Sequence, residues 1–442
     1  MELDFLEFFS ACNPAQTLKF NNREDRQYYI DFASVRGANI IRTLERTIVL
    51  NKSLGNSTCQ LFTGHIGCGK STELRRLQAN LEQQNFHVVY FESTEDLDMA
   101  DVDVTDILLA ITRQVSESLS KVGIRLKPNY FVKLFREIVD VLKTPIEVKE
   151  IEFSLPMELA KVTAQTKNSP DSRSRLRQYL EPRTKQIIDG INEEVLGKAS
   201  TKLQELGKAG LVVIVDNLDR VDNRLKSGNT TQPEYLFIDR GEQLRKLNCH
   251  VIYTIPLVLK FSNNTQVLTN RFGGGLEPEA LPMIPVCDRY GNKHEQGIAL
   301  LQQMVLARAF PTIEPSQRLN FITKIFETEN TLERLCFISG GHVRTLLGML
   351  YRCLREEDPP ISKACLERVI SESRDNLALA ITDDEWELIY KVWQAKTLSG
   401  EYSYQTLLKS SFVFEYPDPQ EGKWFDINPI LKETKQFRSF QG

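Results

Sequence analysis

The chain lacks any stretch approaching the roughly 20 consecutive apolar residues that a membrane-spanning helix requires, which excludes an expectation of helical membrane insertion. Its first residues, Met1-Glu2-Leu3-Asp4-Phe5, place acids where a secretory signal carries positive charge, so a cytoplasmic protein is expected. It has no C-x-x-C pair. Cys12, Cys59, Cys68, Cys249, Cys287, Cys336, Cys353 and Cys365 are scattered, and His65, His87, His250, His294 and His342 show no ligand spacing. Neither a disulfide framework nor a structural zinc site is expected. Charge of one sign is scarce too. Fifty-five Lys and Arg against 59 Asp and Glu leave −4, so contact with a polyanion would need a local patch. No internal repeat or low-complexity tract is present.

What remains is a 442-residue chain, 41% apolar and 26% charged, long enough for two to four domains at roughly 100–200 residues each. Residues 1–57 read as a helical lead-in. Cys59-Gln60-Leu61-Phe62-Thr63 is a short apolar run ending in glycines. A helix pattern follows from Lys70 to about Gln84, with Leu74, Leu77 and Leu81 on one face. His87-Val88-Val89-Tyr90-Phe91 then has strand length and composition. Strand, glycine turn, helix, strand is the signature of a parallel sheet. Residues 93–210 leave this rhythm and predict a mostly helical insertion. The sheet resumes at Leu211-Val212-Val213-Ile214-Val215, a run apolar enough to be buried on both faces. It continues at Val251-Ile252-Tyr253-Thr254-Ile255 and at 281–286, where Pro282 and Pro285 predict an edge strand. The expected division is a P-loop core over 58–289, a helical lid over 290–375 and a winged-helix-like module over 376–442.

Gly64-His65-Ile66-Gly67-Cys68-Gly69-Lys70-Ser71 satisfies G-x-x-x-x-G-K-[ST] in full. Glycines let backbone amides turn inward onto phosphate oxygens, and the following helix adds its positive end. The nucleotide-contacting residues are therefore expected to be Gly64, His65, Ile66, Gly67, Cys68, Gly69, Lys70, Ser71 and Thr72. Lys70 is assigned to the β- and γ-phosphates and Ser71 to Mg2+. Asp216, closing the apolar run, is the expected second magnesium residue. The next position is Asn217, which cannot accept a proton from water, and Asp219 is the candidate substitute. Thr254, at a strand end, can touch the γ-phosphate or orient water. Arg271 can reach a neighbouring subunit's nucleotide. Arg344, entering a helix after Gly340-Gly341, can fold over the triphosphate.

Two charge patterns bear on partners. Arg173, Arg175, Arg177 and Arg183 lie in a stretch, 161–210, with ten Lys/Arg and six Asp/Glu, the best candidate for a nucleic-acid contact. The tail 376–442 has seven cations and ten acids. A DNA-reading winged helix concentrates cations instead, so this module is expected to pack on protein, its own core included.

Together these residues resemble the AAA+ and STAND ATPases, most closely initiator-type (origin-recognition-like) modules and KAP-like P-loop proteins. Residues 64–71 match Walker A, and Val213-Ile214-Val215-Asp216-Asn217-Leu218-Asp219-Arg220 matches an extended Walker B. In that resemblance Thr254 falls at sensor 1, Arg271 at the arginine finger and Arg344 at sensor 2. It implies a five-stranded parallel sheet in the order 5-1-4-3-2, ATP and Mg2+ as ligands, and nucleotide-driven assembly or switching. The chain departs from the pattern at Asn217, in the length of the insertion, and in having no membrane segment of the KAP kind. The leading expectation is a slowly hydrolysing ATPase switch acting as a homo-oligomer or on a protein partner, by analogy with STAND relatives in defence against phage. A DNA-associated initiator or loader, and a small-molecule P-loop kinase, are the rival expectations.

Overall fold

The computed structural model describes residues 3–126, 128–142, 154–167, 169–226, 230–418 and 420–440. Part of the expected insertion (143–153) and Pro419 of the C-terminal hairpin lie outside the described residues.

Five parallel strands form the central sheet: β1 (Cys59–Gly64), β2 (His87–Glu92), β3 (Leu211–Asp216), β4 (His250–Thr254) and β5 (Glu279–Leu281), side by side as β2-β3-β4-β1-β5. This is the expected order 5-1-4-3-2 read from the other edge. The register aligns Glu92 with Asp216 at the carboxyl ends of β2 and β3. The edge strand is a correction. It was expected at 281–286 but covers only Glu279–Leu281. Beyond it, Pro282 and Pro285 have no N–H to give, and a strand ladder needs one. The amide of Met283 instead donates to Glu415 O at 3.0 Å.

Alternation along the strands sends side chains to two different cores. Phe62, Val88, Val212, Ile214 and Ile252 join one cluster with the lead-in helix Ile40–Ser53, the helix Lys70–Gln83, the helices after 295 and the C-terminal residues. Leu61, Val89, Val213, Val215, Val251 and Tyr253 join the other, with the insertion helices and residues 236–272. Every residue of β3 is buried, as a strand covered on both faces must be.

The insertion is helical, with Val104–Lys121 and Asn129–Leu142 its longest described helices on the amino-terminal side. Its Asp103 and Asp106 form a capping box. After β5 come the helices Glu295–Ala309, Glu329–Ile338, Val343–Glu356 and Lys363–Ala378. Between the first two of these the chain forms a short helix, Pro315–Arg318, followed by 3₁₀ turns over Leu319–Lys324. The chain ends with the helices Asp383–Ala395 and Tyr402–Lys409 and the antiparallel hairpin β6 (Val413–Asp418) and β7 (Gly422–Ile427). Phe414, Tyr416 and Trp424 are buried in the same cluster as the P-loop helix. No described helix is long and apolar enough to cross a membrane, and all eight cysteines are free.

Candidate nucleotide site at the P-loop

The loop between β1 and the helix Lys70–Gln83 contains two glycines with positive φ, Gly67 and Gly69, after Gly64 at the end of β1. Gly69 stands at the helix N-cap in a left-handed conformation, with no side-chain cap. The first-turn amides therefore keep their donors for an anion. Gly67, at φ 96°, meets the lid. A Cβ there would lie 2.7 Å from His342 Nε2 and 2.8 Å from the Arg344 Cβ, so only glycine fits. The lid is bonded to this loop directly. The amide of Arg344 donates to Gly67 O at 3.1 Å, and His342 Nε2 lies 2.8 Å from Ile66 O.

Lys70 is buried. Its Nζ donates to Gly64 O at 2.8 Å and His65 O at 2.9 Å, and it pairs with Asp219 Oδ2 at 2.9 Å. Burial alone would depress the ammonium's pKa, but the neighbouring acid Asp219 outweighs it and holds the pKa above the usual lysine value. Asp219 Oδ1 is buried without a hydrogen-bond partner. Ser71 lines the same pocket.

Asp216 is not among the residues lining the pocket; it is buried, accepting from Tyr90 Oη at 2.6 Å and from the Asn217 amide at 2.7 Å. Burial first, then the carboxylate, raises the Tyr90 pKa, so the phenol keeps its proton and donates. The Arg75 guanidinium covers the Tyr90 ring at 3.4 Å. Asn217 has φ 65°, a left-handed conformation in which Asn is enriched and longer acids are not. Its side chain lines the pocket and donates to Glu92 Oε2 at 2.9 Å.

Thr254 is placed differently from the sequence expectation. It is fully buried, its hydroxyl bonded to Val215 O at 3.4 Å and accepting from the Leu218 amide at 3.0 Å, and it does not line the pocket. It clamps the turn after β3 rather than facing a phosphate. Arg271 ends the helix Thr265–Arg271, exposed and outside the pocket.

Several pocket residues escaped the sequence reading. Arg220 and Arg308 line it with Lys70, Arg344 and Asp219, four cations to one carboxylate. Arg308 is buried with only carbonyl partners, donating to Ala11 O and Met304 O at 3.1 and 2.8 Å. Burial pushes its pKa down. Burial, then repulsion from Arg220, also lowers that of Arg344. The lead-in supplies Pro14 to Leu18. An adjoining, mainly apolar slot is lined by Leu18, Ile30, Phe32, Met304 and Val343, with Arg36, Glu73 and Arg308 also on its wall. Lead-in residue Arg36 reaches Cys68 O at 2.7 Å. The sequence signals for these were weak: a lone Arg in D-x-L-D-R, and a buried-face Arg on an otherwise apolar helix.

The arginine cluster of the insertion is largely committed within the chain. Arg173 pairs with Asp98 at 2.5 Å, and Arg177 with Asp101 at 2.9 Å and Asp103 at 3.4 Å. Arg183 lies over the Tyr179 ring at 3.9 Å. Arg175 is exposed. The acidic run and the basic run, read separately from the sequence, neutralise each other.

Residues 38–226 match the KAP family P-loop domain. That segment carries the glycine-rich loop and strands β1, β2 and β3 of an α/β P-loop fold. A comparison with curated proteins finds no match. Among solved structures the chain is similar to the ORC2 protein of Aeropyrum pernix in ADPNP and ADP complexes, at 12% identity and TM-score 0.38, over 91% of each chain. It is similar at the same identity and TM-score to Cdc6p of Pyrobaculum aerophilum, over 94% of this chain and 97% of that one. The third is the Drosophila ORC bound to DNA, again at 12% and 0.38, over 97% of this chain and 89% of that one.

Proposed function

We propose that this chain is an ATP-binding switch with slow hydrolysis, in which nucleotide held between P-loop, lead-in and lid controls self-assembly or engagement of a protein partner. The observation that carries this reading is the charge of the pocket. Lys70, Arg220, Arg308 and Arg344 line it, with Asp219 the acid among its described lining residues. Such a field favours a polyanion, and the amides of the helix Lys70–Gln83 open onto the same space. The apolar slot beside it suits a purine base.

The residues present fit Mg2+. The Ser71 hydroxyl lines the pocket without a hydrogen-bond partner among the described residues, and Asp216 keeps acceptor capacity beyond its two bonds. No cluster of three or more acidic, His or Cys ligands is present among the described residues. That suits an ion which completes its shell with phosphate oxygens and water. Ser71 and Asp216, the latter through water, would hold it, and bound magnesium would neutralise charge on the phosphates.

A switch needs an affinity that differs between its two states. Here the lid enters the site through Arg344, while His342 and the Arg344 amide rest on the P-loop backbone. Arg271, exposed at a helix end, is the residue proposed to act on a neighbouring copy's nucleotide. Calorimetry of ATP binding tests the core of the proposal. Lys70→Ala should abolish binding, and an unchanged dissociation constant would overturn the assignment.

A further inference from the structure

We infer that Glu92, at the end of β2, is the general base for ATP hydrolysis in this chain, held in place by Asn217. The inference rests on the ATP-binding function proposed above and supplies what it lacks, a carboxylate to take the proton from the attacking water.

Position 217 cannot supply one. It is an amide by sequence, and its left-handed backbone suits Asn better than Glu. The neighbouring strand end carries the missing group. Glu92 is in register with Asp216, so the two carboxylates end adjacent strands on the carboxyl edge of the sheet, where sites in such folds lie. Glu92 itself is not among the residues lining the pocket, and Asn217 links it to them. Asn217 lines the pocket and its Nδ2 donates to Glu92 Oε2 at 2.9 Å, fixing one carboxylate oxygen. The other oxygen, Oε1, lies 3.8 Å from Arg75 of the P-loop helix. The Glu92 side chain is 32% exposed, wet enough to exchange a proton with solvent after each turnover. Asp219, the other acid nearby, pairs with Lys70 at 2.9 Å and serves that lysine as counter-ion until phosphate takes its place.

The step balances without a further reagent. Water oxygen bonds to the γ-phosphorus, the bond from that phosphorus to the β–γ bridging oxygen breaks, and ADP leaves with that electron pair. The water proton passes to the Glu92 carboxylate and from there to solvent.

The test measures phosphate release and ATP affinity together in the full chain with Mg2+. General-base removal is typically worth about 10²–10⁴-fold. Glu92→Gln should lower turnover by about a hundredfold or more while the ATP dissociation constant stays within about threefold. Glu92→Asp should retain measurably more turnover than Glu92→Gln. A Glu92→Gln variant that hydrolyses at close to the parent rate overturns the assignment. So do equal losses in Glu92→Gln and Glu92→Asp, which would mark a structural ion pair with Arg75. Parent protein that binds ATP but releases no phosphate overturns the base while leaving the binding site standing. Parent protein that does not bind ATP removes the functional proposal itself, and the base with it.

Discussion

The amide of Glu415, in the C-terminal hairpin, donates to Nε2 of His65, inside the P-loop, at 3.3 Å. Phe414 beside it packs edge-on against His65, with centroids 5.4 Å apart, and stacks on His342 of the lid at 5.8 Å. Three segments more than 70 residues apart in sequence therefore meet around two imidazoles. Burial drives the His65 pKa down to about 3 and that of His342 to about 4. Both rings are neutral in the fold, so unfolding at mildly acid pH takes up protons. The folded-state pKa is the depressed one. The stability contributed is complete above the unfolded histidine value of about 6.5 and falls as pH drops from there towards about 4, by at most about 1.4 kcal/mol per pH unit for each ring. Denaturation midpoints measured between about pH 7.5 and 5 should decline, and the decline should flatten in a His65→Gln/His342→Gln variant. An equal slope in the two proteins would show that other groups carry it.

Phe414 has no exposed surface, and a ring deleted from such a position leaves a cavity. Phe414→Ala should cost about 3–5 kcal/mol, read from denaturant unfolding with an unchanged m-value. A loss under about 1 kcal/mol would mean that the hairpin's seat on the P-loop collapses around the gap.

The pairing of Lys70 with Asp219 implies that nucleotide must replace one anion with another. Asp219→Asn removes the resident anion and leaves a buried ammonium with carbonyl partners alone. Breaking a buried pair in this way costs about 3–5 kcal/mol, so the ligand-free melting temperature should fall. Added ATP with Mg2+ should then raise it by more than in the parent, because the phosphates restore the missing charge. Equal thermal shifts in the two proteins would show that Asp219 does not occupy the phosphate-binding lysine.

The parts of this arrangement legible in the sequence are those that one segment specifies. The glycine-rich loop with Lys70 and Ser71, and the buried run that places Asp216 at the end of β3, follow from spacing and periodicity. So does the strand order, through the resemblance those motifs carry. Convergence from distant segments was not legible. Arg220, Arg308 and Pro14 reach one pocket from positions nearly 300 residues apart, with no local pattern to mark them. Arg173 and Asp98 were each visible as members of charged runs, but their ion pair exists only once the insertion folds back on itself. Thr254 was sited at the right strand end. Its direction, towards the turn after β3, was set by the Leu218 amide that needed an acceptor.

Arg344 offers the sharpest test of switching. Its backbone is tied to Gly67, and burial and Arg220 depress its pKa, so a guanidinium already crowded by another cation gains when a third phosphate arrives. An arginine that meets the γ-phosphate distinguishes ATP from ADP, whereas one that meets only the α- or β-phosphate does not. A hydrogen bond to a charged group is worth about 1.5–3 kcal/mol, and about 1.4 kcal/mol is tenfold in affinity. Arg344→Ala should therefore weaken ATP binding at least tenfold while ADP affinity changes by much less. In the parent, particle mass measured by light scattering should change between the ligand-free state and a non-hydrolysable ATP analogue. That change should be absent in the variant at analogue concentrations that saturate it. Equal losses of ATP and ADP affinity would make Arg344 a general phosphate contact. The lid would then close over either nucleotide, and the switch would have to be read elsewhere, with the exposed Arg271 as the next residue to remove.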